Sequence, residues 1–122
     1  MAINYNDHGF QRYSEVTSSP AISSGSLTLN LATSNVFLVS LNANITTITI
    51  SDVNSASGTS QGFTLIFTAD GTARSVSWPG SVKWPGGSAP TLTSTNGKKD
   101  VIHFVTTDNG TTWLGFVAGK NF

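Results

Sequence analysis

The chain has no cysteine among its 122 residues. That absence excludes disulfide staples, thiol nucleophiles and thiolate metal sites, and leaves the redox compartment open. Charge is scarce as well. Charged residues make up 10% of the chain, and six basic residues balance six acidic ones, where soluble domains typically carry about 25%. A nucleic-acid binder shows a basic stripe; here the Lys and Arg are scattered from Arg12 to Lys120. Neither nucleic acid nor an anionic membrane is therefore expected as a partner. No apolar run is long enough to span a bilayer. The first residues, MAINYNDHGFQRYSEV, lack the basic start and apolar core of a signal peptide, so synthesis and folding in a cytoplasm are expected. Good helix formers are few, and no window repeats apolar residues at three-and-four spacing.

What remains is polarity from Ser, Thr, Asn and Gly, and many short strand patterns. LTLNL (27–31) alternates leucines with polar residues. VFLVSL (36–41) is nearly continuous and apolar, the pattern of a strand buried on both faces. ITTITI (45–50) is β-branched, which suits a pleated surface. GFTLIFT (62–68) puts Phe63, Leu65 and Phe67 on one face, and ARSVSW (73–78) does the same for Val76 and Trp78. DVIHFVTT (100–107) and TTWLGFVAG (111–119) complete the set. Asp70-Gly71 and Asn109-Gly110 stand between such runs, and Asx-Gly there signals a hairpin turn. The expected fold is all-β: an antiparallel β-sandwich or barrel-like domain over 26–122.

Residues 1–25 fit neither period and end in linker-like Ser-Ser-Pro and Ser-Ser-Gly. They read as an extended N-terminal arm. Tyr5, Phe10 and Tyr13, with Arg12 beside them, are candidate partner-binding residues, because aromatic anchors dock into a neighbour's pockets and disordered tails are poor in aromatics. A frayed terminus is the plainer alternative.

A search for catalytic groups finds little. His103 lies within a strand pattern, on the face of Val101 and Val105, and a lone strand histidine is usually structural. Asp70 and Asp108 belong to turns, Asp52 follows a strand, and Asp100 reads as a local ion-pair partner of Lys98 and Lys99. No carboxylate pair is nominated for glycoside hydrolysis, and no Asp-rich loop for calcium. No catalytic residue, cofactor or metal site is predicted. Two asparagines, Asn44 and Asn109, match the glycosylation sequon; without a signal peptide both are set aside.

Two of the four prolines follow a tryptophan, in SVSWPGSVKWPGG (75–87). Proline fixes its own φ and drives the preceding residue into extended backbone. Each Trp-Pro is thus a corner at the end of an extended segment. Trp78, Trp84 and Trp113 have two readings: plugs that close the ends of the core, or an exposed aromatic platform for a sugar ring.

The run from Gly62 to Gly119 resembles a β-module of bacteriophage virion proteins. It carries a hydrophobic strand and Asp-Gly, then Trp78-Pro-x-x-Val-Lys-Trp84-Pro-Gly-Gly-x-x-Pro-Thr-Leu92. A strand opening on Asp100-Val101 follows, and the run closes on Asp108-x-Gly-x-x-Trp113-x-Gly-Phe116. The resemblance covers about the second half of the chain and implies an all-β, often trimeric unit. Such modules usually end long tail-fibre-like chains, whereas this chain is short. The resemblance and the length together lead to the expectation of a capsid decoration (cement) protein. Its partners would be the major capsid protein and further copies of itself as a homotrimer, on the virion exterior. The alternative is a tail-fibre or receptor-binding module that recognises host surface polysaccharide.

Overall fold

The computed structural model describes residues 11–122. Eight strands are present among the described residues: β1 (Thr17–Ser18), β2 (Ser26–Asn30), β3 (Val36–Leu41), β4 (Thr47–Ser51), β5 (Gln61–Ala69), β6 (Val82–Lys83), β7 (Lys99–Thr106) and β8 (Trp113–Gly119). The only helical piece among the described residues is a short 3-10 turn, Pro85–Gly87. Six strands form one sheet in the order β1-β3-β5-β7-β8-β6, and β2 pairs with β4 in a second.

The protein is all-β, as the strand patterns predict, but the pairing is mixed rather than antiparallel. The pairs β1/β3, β3/β5, β2/β4 and β6/β8 are parallel; β5/β7 and β7/β8 are antiparallel. The reason lies in the connections. Parallel strands need a long crossover. Here β2 serves as the crossover between β1 and β3, and β4 as that between β3 and β5. The chain winds as a coil: Thr17 lies opposite Val36, Ser26 opposite Thr47, and Val36 opposite Thr64. Each strand up to β5 therefore runs beside the one two before it. The antiparallel β5-β7-β8 ribbon then closes the coil's far side. The end of the stretch expected as an arm is part of this coil, because β1 pairs with β3 and Ile22 packs on the core.

One buried cluster joins the two sheets. Leu27 and Leu29 from β2 and Ile48 from β4 meet Phe37, Val39 and Leu41 from β3 and Phe63, Leu65 and Phe67 from β5; Ile102, Phe104 and Trp113 complete it from β7 and β8. Every one of these positions follows the period of two that a half-buried strand imposes.

Three local expectations need correction. VFLVSL is not buried on both faces: Phe37, Val39 and Leu41 point inward, while Leu38 is exposed. ARSVSW forms no strand and no hairpin with β5. Both edges of β5 are already taken by β3 and β7, so the segment makes only a single parallel bridge between Val76 and Ile45. Asp100 is no surface ion-pair partner. It is 2% exposed, and its carboxylate accepts hydrogen bonds from Thr93 N (2.7 Å), Thr93 Oγ1 (2.7 Å) and Asn121 N (3.0 Å).

The second expected hairpin is present. β7 and β8 pair antiparallel, and Asn109 and Gly110 both have positive φ, 56° and 85°. They sit at the tip of a longer connection, residues 107–112, whose turn is closed by Thr111 N donating to Asp108 O.

Candidate functional site

The two Trp-Pro corners build an aromatic cluster from the backbone up. Trp84 is extended (φ −108°, ψ 151°), as the residue before proline should be. Trp84 O then accepts from Gly87 N at 2.9 Å, with Pro85 and Gly86 (φ 66°, ψ 9°) as the central residues. That is the geometry of a type II turn, which requires φ above zero at its third residue. Pro79 heads a second turn, its carbonyl accepting from Val82 N at 3.0 Å.

These corners bring the indoles together. The Trp78 and Trp84 rings meet edge to face with centroids 5.0 Å apart. Each also lies 5.7 Å from Phe104, and Trp78 lies 6.2 Å from Phe67. Both are partly buried and pack on the core. Trp113 is 1% exposed and meets Phe63 edge-on at 5.0 Å. Edge-to-face contacts of this kind add about 0.5–1.5 kcal/mol each beyond the area they bury. Of the three tryptophans, Trp113 is fully interior, while Trp78 and Trp84 line the end of the core.

Trp78 also reaches a surface cavity of about 330 Å³, lined by Arg74, Val76, Pro90, Leu92 and Ser94 among others. Beside it Arg74 Nη2 donates to Asp70 Oδ2 at 2.6 Å, and Arg74 Nε donates to Asp70 Oδ1 at 3.3 Å. The guanidinium holds the Asp70 carboxyl below the usual carboxylate range. This is the salt bridge found among the described residues. A second, wider cavity of about 440 Å³ lies between the β2–β3 loop and the start of β5, with Leu31, Asn35 and Gln61 in its wall. Among the described residues no three His, Asp or Glu side chains gather as metal ligands would.

His103 sits on the outward side of β7. Its Nδ1 is 3.1 Å from Thr64 Oγ1, and its ring meets Phe116 edge-on at 5.5 Å. Asp108 is a turn-builder: its carboxylate accepts from Thr112 N and Thr106 Oγ1, both at 2.9 Å, and these donors, Thr112 N first, hold its pKa below the usual value. Asn109 Nδ2 donates to the carbonyls of Asn54 and Ala56, tying the β7-β8 turn to the loop before β5. Asn44 Oδ1 accepts from Ser75 N.

Of the predicted partner-binding residues, Tyr5 and Phe10 lie outside the described residues. Arg12 is exposed and Tyr13 is 80% exposed. Sequence reasoning passed over two features. One is Asp100 as a buried acceptor, whose signal was a carboxylate at the inward phase of an alternating strand. The other is the outward side of the large sheet, where Leu38, Leu114 and Phe116 are 41%, 51% and 42% exposed. The signal there was apolar residues at both phases of VFLVSL, VIHFV and WLGFV.

No family model, no curated protein and no solved structure matches the chain.

Proposed function

We propose that this chain is a bacteriophage capsid decoration protein. It binds the assembled major capsid protein shell from outside, as a homotrimer with a β-sandwich-like core, and stabilises that shell. Such stabilisation follows from mass action: a molecule that binds only the assembled lattice shifts the equilibrium away from disassembly. The Gly62–Gly119 motif supports the virion assignment by resemblance. The observation that carries the reading is the distribution of polar and apolar groups. The carboxylates of Asp70, Asp100 and Asp108 are each held by internal donors, while the outer sheet face exposes Leu38, Leu114 and Phe116 and Tyr13 stands in solvent. That is a surface for packing against other proteins. In this reading the arm, with Tyr5, Phe10, Arg12 and Tyr13, lies on the shell or across a neighbour, and no catalytic step is involved. The test is copy number in purified virions, by quantitative mass spectrometry against the major capsid protein. A ratio typical of a shell component is expected; a few copies per particle would move the protein to the tail and end the decoration reading.

One observation favours a second reading, a module that recognises host polysaccharide. The cavity beside Trp78 combines an indole, the Arg74 side chain that pairs with Asp70, and hydroxyl side chains, and its volume lies in the range of small-ligand sites. Glycan-array binding that Trp78→Ala abolishes in a folded protein would support it.

A further inference from the structure

The large sheet has one face on the core, and on its other face Leu38, Leu114 and Phe116 stand exposed among the described residues. On that outer face the strand registers set apolar residues side by side. Leu38 of β3 lies opposite Ile66 of β5, and Ile66 lies opposite Val101 of β7. His103 lies opposite Phe116 of β8, and Val105 opposite Leu114. Apolar residues thus recur on four adjacent strands, with the hydrogen-bonded Thr64–His103 pair set between the Leu38–Ile66–Val101 row and the Val105–Leu114 row. Gly62 is part of the same face: a methyl there would come within 3.2 Å of His103 Nε2, so its bare backbone leaves room for the imidazole, which meets Phe116 edge-on. Lys83 of the neighbouring β6 lies opposite Leu114 on this side of the sheet, and Lys99 is the one formal charge on this face of β3, β5, β7 and β8. It stands at one end, where its Nζ donates to Thr68 Oγ1 at 2.8 Å.

We infer that this face is where the chain meets further copies of itself. Three arguments select that occupant. The first is charge. The middle of the patch carries no formal charge, so a charged partner finds no counter-charge there, whereas two copies, on a chain of net charge zero, meet at that middle with Lys83 and Lys99 kept to its margins. In a symmetric oligomer the same patch is presented by every subunit, so it must tolerate its own likeness. The second is area. Four strands spaced about 4.8 Å apart, with two or three outward residues each, give roughly 300 Å². With Gly62, Thr64 and His103 included, that is the low end of the largest patch a monomer usually exposes. It is less than the ~800 Å² per partner of a stable contact, and so suits the apolar centre of a wider interface with a polar rim. Ser40 and Thr68, paired across β3 and β5, supply such a rim at the Lys99 end. The third is the sequence pattern. β3 reads as a strand covered on both sides, and a second copy supplies the cover on the Leu38 side.

This inference rests on the self-association half of the proposed function and not on the shell, so the two fail separately. The test is the molar mass of the full-length protein by sedimentation equilibrium across a wide concentration range. It is repeated for Phe116→Glu and Leu114→Glu, both on the solvent side of β8, and for Thr28→Glu on the exposed side of β2 as a control. Circular dichroism and thermal unfolding establish that each variant is folded, and Leu114→Ser serves as a milder change if a glutamate is not tolerated. The expected result is a wild-type oligomer, an unchanged mass for Thr28→Glu, and a dissociation constant raised at least about tenfold by each β8 change, a loss of about 1.4 kcal/mol. An oligomer that both β8 variants leave intact would overturn the choice of face while sparing self-association. A wild-type monomer would overturn the inference outright. If that monomer began to associate once residues 1–10 were removed, the cover would be the chain's own first segment.

Discussion

The indole of Trp84 lies directly on the backbone of Gly115: a methyl built on that glycine would stand 2.9 Å from Trp84 Cζ3 and 3.1 Å from Cη2. Gly115 faces inward on β8, between Trp113 and Val117, and its missing side chain is the space the ring occupies. Gly115→Ala should destabilise the fold by about 1–3 kcal/mol, the usual cost of overpacking. Trp84→Ala should cost about 3–5 kcal/mol as a large-to-small change at the edge of the core. Urea unfolding of the two single variants and the double variant forms a cycle. The alanine at Gly115 should cost much less once Trp84 is gone. If Trp84→Ala leaves stability near native, the ring is a surface platform instead of a plug.

Asp100 ties two distant pieces of chain to the core. Its oxygens take two donors from Thr93 and one from Asn121, so the crossover after the Trp-Pro corners and the chain's last residues share one anchor. Asn in its place is nearly isosteric but must turn an NH2 toward one of those donors. Asp100→Asn should therefore lower stability by about 1–3 kcal/mol, the range for a buried group left without its partner. Hydrogen exchange should show the loss first at the amides of Thr93 and Asn121. Unchanged protection at both would mean that the carboxylate does not hold them.

The amount of this fold that could be read in advance follows from how local each signal is. Strand phase is local, and Phe63, Leu65 and Phe67 fall inward as their alternation predicts. The Asn109-Gly110 turn is local too. Pairing direction is not. Nothing in LTLNL or ITTITI says that β2 and β4 will stack in parallel, because that depends on where the crossovers return the chain. The same limit explains Asp70-Gly71: the dipeptide turns the chain, but β5 has no free edge to receive ARSVSW. The tryptophans were legible as corners from their prolines. Whether their rings would face the core was not, since that hinges on Gly115, more than two dozen residues downstream of Trp84.

Gly110 has φ of 85°, and a methyl on it would lie 3.0 Å from Val53 Cγ1. Gly58 has a similar φ, 75°, but open space around it. Both Gly→Ala changes carry the strain of a left-handed backbone, about 1 kcal/mol. Gly110→Ala should cost more than Gly58→Ala, and the excess measures the contact with Val53 that packs the β7-β8 turn on the loop before β5. Thermal unfolding of the two variants side by side makes the comparison. Equal losses would show that Val53 moves aside freely.

Acid should loosen the protein through Asp70 and Asp108. Arg74 lowers the pKa of the first, and the Thr112 amide, with the Thr106 hydroxyl, lowers that of the second. A carboxyl depressed in the folded state binds fewer protons there than in the unfolded chain. Its contribution is therefore fully present above the unfolded value, about 3.9, and is lost as pH falls through the lower folded value. Asp108 is exposed and the Asp70–Arg74 pair is only partly buried, so added salt should weaken that pair's share. Chemical unfolding at about pH 7 and about pH 3 should show a smaller pH difference for an Asp70→Asn, Asp108→Asn chain than for wild type, because the amides no longer titrate. An identical pH difference in the two proteins would assign the acid sensitivity to other groups. A wild-type chain more stable at the lower pH would reverse the sign that the Arg74 and Thr112 hydrogen bonds require.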